Sequence, residues 1–286
     1  MGLRRIIARR ANKVLNYFRL EVVPVGNDFD ARLESETHIA RAIELIASDA
    51  RQWLDKQSVI GPVYAFDIRS EIESFFSDYL RHPFRNPRGG SRFGNLLWLD
   101  RLAKAMRPST IVDSGTYTGA SAWALARGAP SAKILSFGID MSRLIFRVPS
   151  VEYIEADWTS YRVSRFTNGR TVAYFDDHVD QGRRLAEAYA RGIDIAIFDD
   201  DYSVLTFTPM AHGGRALPKI SFILDDHLND GEIIRWYADG QSYEWKVDKQ
   251  KLDKLKSLID QESRLPNIAA SIGFDQLPYR VVKLAR

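Results

Sequence analysis

The chain has 286 residues, of which 45% are hydrophobic and 27% charged, so it can bury a sizeable core as one large domain or as one domain with an appendage. It contains no cysteine, and its formal charge of +3 is too small and too evenly spread to imply a nucleic-acid partner. No apolar run reaches the ~20 residues that span a bilayer, and the first residues lack the apolar core of a signal peptide. These features exclude disulfides and thiolate metal sites and favour a cytoplasmic location.

The first twenty residues differ from the rest of the chain, because they carry six basic side chains and no acid. As a helix, residues 1–20 would place apolar side chains on one side and arginines on the other. This pattern is typical of a helix that lies on an anionic membrane surface at the inner face of the membrane. A terminal helix that docks on its own protein or on a partner would show the same pattern, and both interpretations stay open.

Further helices follow before the main domain. Apolar positions that recur every three and four residues predict a long helix over about 27–57 and another over about 66–81. The segment 82–95 is rich in Pro, Gly and Arg, which marks a boundary. We therefore predict an N-terminal helical extension over residues 1–90 and a main domain over residues 91–286.

Helices and strands alternate within the main domain. Continuous apolar runs predict strands at 110–115, 132–140, 151–157, 171–177 and 194–201, and helical patterns occupy 95–106, 120–129 and 181–192. Buried strands separated by helices indicate an α/β fold of the Rossmann-like, doubly wound type, with a mostly parallel sheet. Beyond residue 202, the stretch 220–228 fits strand or helix, 249–261 predicts a helix, and 279–285 predicts a closing strand. Ligands bind such sheets at the carboxyl ends of the strands.

The sequence DSGTYTG, residues 113–119, follows the first predicted strand. Its two glycines permit a tight turn and a close approach of the backbone to a ligand, and the helix after it offers unpaired N–H groups. The dinucleotide fingerprint G-x-G-x-x-G is not met, because Tyr117 stands between Gly115 and Gly119 and no third glycine follows at the required place. The loop is therefore expected to hold a ligand other than a nicotinamide dinucleotide.

This segment resembles the first motif of class I S-adenosylmethionine-dependent methyltransferases. It is closest to the branch of sugar and macrolide O-methyltransferases and cephalosporin-hydroxylase-like proteins, whose motif often runs glycine, Thr or Ser, Tyr, any residue, glycine. The resemblance covers about residues 90–205. It implies S-adenosylmethionine as cofactor, with Gly115, Tyr117 and Gly119 in the loop beneath its methionine moiety, and a sugar, glycan or natural-product hydroxyl as methyl acceptor.

Three strand-end aspartates acquire roles from the same resemblance. Asp113 would lie near the methionine amino group, and Asp140, 25 residues after Gly115, would accept both ribose hydroxyls. Asp157 would lie beside the adenine. Because aspartates at strand ends also cap the helices that follow, a structural role stays open for each.

Two carboxylate clusters, YFDDHVDQ (174–181) and IFDDDYS (197–203), end adjacent predicted strands. Like charges this close repel one another unless a cation or a basic side chain compensates, and hard oxygen ligands suit Mg²⁺ or Ca²⁺. Metal-dependent O-methyltransferases of this fold carry acids at these places. The resemblance therefore implies Asp177, Asp200 and Asp201 as ligands of a divalent metal, Mg²⁺ in the first instance.

His178 is the candidate general base in the same cluster, because a base is needed to remove the proton of the acceptor hydroxyl. The alternative is that some of these acids cap helices or pair with Arg183 and Arg184. A third acidic cluster, residues 224–232, fits either a substrate lid or an exposed turn. Arg92 and Asn95 are weaker candidates for a segment that closes over the cofactor or substrate.

Two other classes of function stay open. Three aspartate clusters on a Rossmann-like fold would also suit a metal-dependent hydrolase of a phosphate or glycan, which the glycine loop disfavours. A non-catalytic methyltransferase-like module, held at a membrane by the basic segment as part of a polysaccharide-assembly complex, would share the fold.

Overall fold

The computed structural model describes residues 35–82, 90–161, 169–206, 216–238, 241–268, 272 and 276–285. The basic segment 1–20 and residues 83–89 of the predicted boundary lie outside the described residues. Within those ranges no helix combines the length and the hydropathy needed to cross a membrane.

Two amphipathic helices precede the sheet. Helix α1 spans Glu36–Lys56 and helix α2 spans Ile68–Arg81, and the side chain of Asp67 begins the second one by accepting a hydrogen bond from Ser70 N. Their apolar faces pack into one core together with residues of the central sheet. Both helices predicted from the periodicity are present where the structure describes them, and they cover one face of the sheet; residues 27–34 of the first prediction lie outside the described residues.

The strands, in chain order, are β1 (Thr110–Ser114), β2 (Lys133–Gly138), β3 (Val151–Glu155), β4 (Thr171–Phe175), β5 (Ile195–Phe198), β6 (Ile233–Ala238), β7 (Gln241–Lys246), β8 (Ile259–Arg264) and β9 (Arg280–Leu284). Seven of the described strands form one sheet in the order β3-β2-β1-β4-β5-β9-β8. Strands β1 to β5 are parallel, and β9 runs antiparallel to both β5 and β8. The expected Rossmann-like, mostly parallel sheet is confirmed.

Alternate residues of each buried strand enter two separate cores, because successive side chains of a strand point to opposite faces. One face carries Ile111, Ile134 and Val172 beside α1, α2 and the helices α3 (Phe93–Met106) and α4 (Ala120–Gly128). The other carries Val112, Leu135 and Ala173 beside α5 (Gln181–Ala190), α6 (Ile220–Ile223) and α7 (Lys249–Lys256). The sheet is therefore the middle layer of three.

The sequence-based prediction differs from the structure beyond residue 202. The stretch 249–261, predicted as one helix, divides into α7 and the first residues of the edge strand β8. The ambiguous stretch 220–228 contains the short helix α6. The antiparallel hairpin of β6 and β7 was not predicted.

The strand order reverses between β1 and β4, which lie side by side in the sheet. In doubly wound folds a crevice forms at this switch point, outside the carboxyl ends of the strands. The loops after β1, β2, β4 and β5 all leave from this edge. These loops carry the two glycines, Asp140 and the two carboxylate clusters, while Asp157 follows β3.

Candidate active site

The loop after β1 has a backbone conformation that depends on glycine. Gly115, Tyr117 and Gly119 have φ values of 116°, 41° and 91°, a region that L side chains rarely adopt. A Cβ on Gly115 would collide with the backbone carbonyl of Asp176, and one on Gly119 with the carbonyl of Phe146. The glycines therefore let the segments after β4 and β2 pack directly on this loop.

Asp113 lies beneath the loop, buried from solvent. Its Oδ2 accepts a hydrogen bond of 2.6 Å from Ser136 Oγ, which is 2.6 Å from Thr116 Oγ1 in the loop itself. Burial raises the pKa of Asp113 to about 6, although the bond from Ser136 opposes this. The side chain thus supports the loop from below.

Helix α4 begins directly after the loop with Gly119 as its N-cap, and a glycine has no side chain that could cap the first turn. The first N–H groups of a helix need acceptors from outside it, and they attract anions. A carboxylate would fit this position.

Asp140 and Asp157 have different environments. Asp140 follows β2 and is exposed, and hydrogen bonds from the side chain of Ser142 and from Ser142 N, the latter 2.8 Å from Asp140 Oδ1, lower its pKa. Asp157 caps a short 3₁₀ turn by accepting from Thr159 N at 2.8 Å, and it forms an ion pair of 2.6 Å with Arg184 Nη2. Partial burial opposes ionisation of Asp157, but these hydrogen bonds lower its pKa. Asp140 is accessible to a ligand, whereas the contacts of Asp157 are those of a cap and an ion pair.

Asp176, His178 and Asp200 lie together at the carboxyl ends of β4 and β5. One ligand atom from each falls within 4.8 Å of the others. His178 and Asp200 have φ values of 58° and 55°, and left-handed conformations at non-glycine residues cost free energy and concentrate at functional sites. The local backbone strain accompanies the convergence of these three side chains.

A small cavity of about 10 Å³ opens between these residues and Lys219. That volume suits one water molecule or one cation. Lys219 is buried, and burial lowers its pKa although Asp200 and Asp201 oppose this effect. Its position among carboxylates reduces their mutual repulsion.

Two of the three predicted metal ligands point elsewhere. Asp177 Oδ2 lies 2.8 Å from Arg184 Nε and accepts a hydrogen bond of 2.5 Å from Ser114 Oγ. Asp201 Oδ2 lies 2.6 Å from Arg280 Nε, and Asp201 Oδ1 accepts from Ser221 N at 2.6 Å. The structure therefore does not bring Asp177, Asp200 and Asp201 together. It places Asp200 with Asp176 and His178, because successive side chains after a strand point in different directions.

A buried hydrogen-bond network lies behind the cluster, and the sequence analysis did not predict it. Asp199 accepts from Tyr174 Oη at 2.9 Å and from Asp200 N at 2.7 Å, and the hydroxyls of Tyr174 and Tyr279 are 2.7 Å apart. Burial and the charge of Asp199 raise the pKa of Asp176, and burial and the charge of Asp200 raise that of Asp199. Tyr174 lies on β4, whereas Tyr279 precedes β9 and is 105 residues away in the chain, so no local pattern in the sequence predicted the contact.

The weaker candidates have structural contacts. Asn95 Oδ1 accepts from Leu277 N at 2.8 Å, and its Nδ2 donates to Asp199 Oδ1 at 3.4 Å, so Asn95 supports the network from behind. Arg92 is the N-cap residue of α3. In the cluster 224–232, Asp226 pairs with Lys256 at 2.7 Å on an exposed turn.

Comparisons with known proteins give similar folds at low identity. No family model matches the chain, and no curated protein matches it. One similar solved structure is cmcI with Mg and SAM, at 22% sequence identity and a TM-score of 0.29, where the match covers 36% of this chain and 50% of that one. Cofactor-bound Rv0187 from MTB has 13% identity and a TM-score of 0.41, with 92% of this chain and 99% of that one covered. The O-methyltransferase from Bacillus cereus in complex with SAH has 14% identity and a TM-score of 0.40, with 85% of this chain and 100% of that one covered. The match spans half the length of that cmcI chain.

Proposed function

We propose that the protein is an S-adenosylmethionine-dependent O-methyltransferase that uses a divalent cation. The observation that carries this proposal is the direct contact between two parts of the site. The loop at Gly115, where the cofactor would lie, packs against the backbone of Asp176, which begins the acid cluster. A methyl donor held on the first loop and an acceptor hydroxyl held at the second would therefore be neighbours, as group transfer requires.

The cofactor residues are proposed from the resemblance of the DSGTYTG segment, and the geometry at the ends of the first two strands supports them. The first turn of α4, with glycine at its N-cap, fits the methionine carboxylate. Asp140, exposed after β2, fits the ribose hydroxyls, since a carboxylate accepts two hydrogen bonds. Asp113 supports the loop from beneath through Ser136.

The cation would be held by Asp176 and Asp200. Mg²⁺ is commonly bound through one or two carboxylates, and a cavity of about 10 Å³ beside two acids has room for the ion itself. When bound, such a cation lowers the pKa of a coordinated hydroxyl and orients its oxygen. The carboxylate of Asp199 accepts a hydrogen bond of 2.7 Å from the backbone N–H of Asp200, and this bond fixes the direction of the Asp200 carboxylate.

His178 would act as the general base. Its side chain is 49% exposed, on the open side of the cluster, and its Nε2 lies 3.8 Å from Asp176 Oδ1. A carboxylate at that distance stabilises the imidazolium that forms when the ring takes a proton. The acceptor is proposed to be a hydroxyl of a sugar, glycan or natural product, on the resemblance of the DSGTYTG segment.

Calorimetry tests the proposal. S-adenosylhomocysteine and Mn²⁺ should each bind. Asp140→Asn should weaken the binding of S-adenosylhomocysteine and leave the binding of Mn²⁺ unchanged. The exposed helix residue Asp253 offers a matched control, since Asp253→Asn should change neither. Binding of S-adenosylhomocysteine without Mn²⁺ would instead favour a metal-free enzyme or a non-catalytic module. Binding of Mn²⁺ alone would favour a hydrolase.

A further inference from the structure

A second and larger cavity opens at the same edge of the sheet, beyond β5. Its volume is about 210 Å³, and three segments line it: 201–206 after β5, 264–267 at the end of β8, and 276–279 before β9. Pockets for drug-sized ligands usually measure ~300–1,000 Å³. This cavity therefore suits one ring or one charged group of a larger molecule.

The two cavities lie on either side of one wall. Asp200 lines the smaller one and the next residue, Asp201, lines the larger one. Tyr279, in the wall of the larger cavity, is joined through Tyr174 to Asp199 in the smaller one. A substrate that reacts at the acid cluster could thus extend another part of itself towards the larger cavity.

Most polar side chains of the larger cavity already have partners within the protein. Asp201 is held by Arg280 and Ser221. The side-chain amide of Gln276 bonds to Ile268 N at 3.0 Å and to Pro266 O at 2.9 Å. The hydroxyls of Ser203 and Thr206 are 2.9 Å apart and bond to each other. These groups shape the cavity and have little capacity left for a ligand.

Arg264 differs from them. Its side chain makes one hydrogen bond among the described residues, from Nη2 to Ser221 Oγ at 2.7 Å, and no described carboxylate forms an ion pair with it. The nearby acids Asp201 and Glu262 are both paired with Arg280. A guanidinium has five N–H donors in a planar fork, so most of this fork remains available in the exposed wall of the cavity.

We infer that Arg264 and this cavity bind a carboxylate or phosphate group carried by the methyl acceptor. Carboxylates and phosphates match the guanidinium fork in geometry and charge, and they are bound by charge-assisted hydrogen bonds. A neutral hydroxyl would find few unused partners there. The inference rests on the proposed function, and it narrows the acceptor to an acidic or phosphorylated molecule.

The test uses the full chain and three sugar probes: D-glucuronate, D-glucose 6-phosphate and neutral D-glucose. Titrations are performed with S-adenosylhomocysteine and Mg²⁺ present. At least one acidic sugar should bind at least about tenfold more tightly than glucose, and Arg264→Gln should remove that advantage, because a charge-assisted hydrogen bond is lost. Arg264→Lys should recover part of it. The exposed Arg69, on α2 and paired with Glu44, offers the control Arg69→Gln, which should have no effect.

Equal binding of all three sugars, or an Arg264→Gln variant that binds the acidic sugar like the wild type, would overturn the inference. Comparison of glucuronate with glucose 6-phosphate decides between a carboxylate and a phosphate. Unchanged S-adenosylhomocysteine affinity in Arg264→Gln shows that the variant is folded. If the wild type fails to bind S-adenosylhomocysteine, the methyltransferase proposal fails, while the dependence of acidic-sugar binding on Arg264 still decides the role of the cavity.

Discussion

Arg184 Nε lies 2.8 Å from Asp177 Oδ2, and this pair connects the loop after β4 to helix α5. The same guanidinium contacts Asp157 at 2.6 Å and Glu187 at 2.6 Å, while only 2% of the Arg184 side chain is exposed. Burial opposes the charge on Arg184, but the hydrogen bonds and charges of the acids around it raise its pKa. Asp177, which the sequence analysis assigned to a metal site, and Asp157, which it assigned to the adenine, are thus both held by the buried guanidinium of Arg184.

Replacing Arg184 with Met should destabilise the protein by about 3 kcal/mol, the low end for loss of one partner from a buried ion pair. The low end applies because Asp157 keeps about a third of its side chain in solvent. Urea denaturation at pH 7 measures the change. Arg183→Met, at an adjacent position that is 53% exposed, should cost less than about 0.5 kcal/mol. Equal losses in the two variants would contradict the structural role of Arg184.

Asp113 gives a pH-dependent prediction. Its pKa is raised from 3.8 to about 6 in the folded protein, so between about pH 4 and pH 6 the folded state holds a proton that the unfolded state has released. The wild type should therefore lose roughly 3 kcal/mol of stability through this group as the pH rises across that window, and no more above it. Asp113→Asn should gain stability relative to the wild type over the same window.

Urea denaturation at pH 4 and pH 7 checks this difference. Asp260→Asn is the control, because Asp260 is an exposed aspartate on β8. Wild-type and Asp113→Asn curves that stay parallel across the two pH values would show that Asp113 is not held with a raised pKa.

The sequence predicted the inner strands well and the last third of the chain less well, for a physical reason. Buried parallel strands are continuous apolar runs, so TIVDS and TVAYF were recognisable at once. Strand β8 is the half-exposed edge strand IDQESR, whose composition also suits the end of a charged helix. The short apolar run ISFI has no periodicity long enough to separate a strand from a helix.

The site shows a similar limit. Sequence predicted that acids would gather after β4 and β5, because parallel strands end at one edge. It could not predict which of two adjacent aspartates faces the cluster, since that depends on the left-handed backbone at His178 and Asp200. It also could not predict that Asp201 pairs with Arg280, because Arg280 lies 79 residues further along the chain.

Variants of Asp176, Asp177 and Asp200 should distinguish the residues that bind the metal from the residue that pairs with Arg184. Asp176→Asn and Asp200→Asn should each weaken Mn²⁺ binding at least tenfold, because each removes a charged oxygen ligand. Asp177→Asn should leave Mn²⁺ affinity within about threefold but lower the stability, since its partner Arg184 is buried. Electron paramagnetic resonance of free Mn²⁺ measures the affinities. Loss of Mn²⁺ binding in Asp177→Asn with full stability would restore the ligand set inferred from sequence.

His178→Ala should separate catalysis from metal binding. If the imidazole is the base, the variant keeps its Mn²⁺ affinity and loses roughly 10²–10⁴ in methyl-transfer rate. The measurement is methyl transfer from labelled S-adenosylmethionine to an accepted substrate, across pH 6–9. A rate that falls only together with Mn²⁺ affinity would make His178 a ligand instead.

Gly115→Ala should disturb both halves of the proposed site at once. The added Cβ would collide with the backbone carbonyl of Asp176, and backbone atoms cannot turn aside as a flexible side chain can. The β1 loop and the loop after β4 must therefore separate, at a cost of about 3 kcal/mol or more when the unfavourable φ is included. Because one loop would hold the cofactor and the other the cation, S-adenosylhomocysteine and Mn²⁺ should both bind more weakly.

Gly231 is the matched control for this change. It also has a positive φ, of 76°, but among the described residues a Cβ there meets only Lys246 Cε, at 3.8 Å. Gly231→Ala should therefore show the conformational cost alone, about 1–2 kcal/mol, with both ligands bound as in the wild type. Urea denaturation and calorimetry on the two variants separate backbone strain from collision. If Gly115→Ala binds both ligands normally, the contact between the loops is not what couples the cofactor to the cation, and the observation that carries the proposed function no longer supports it.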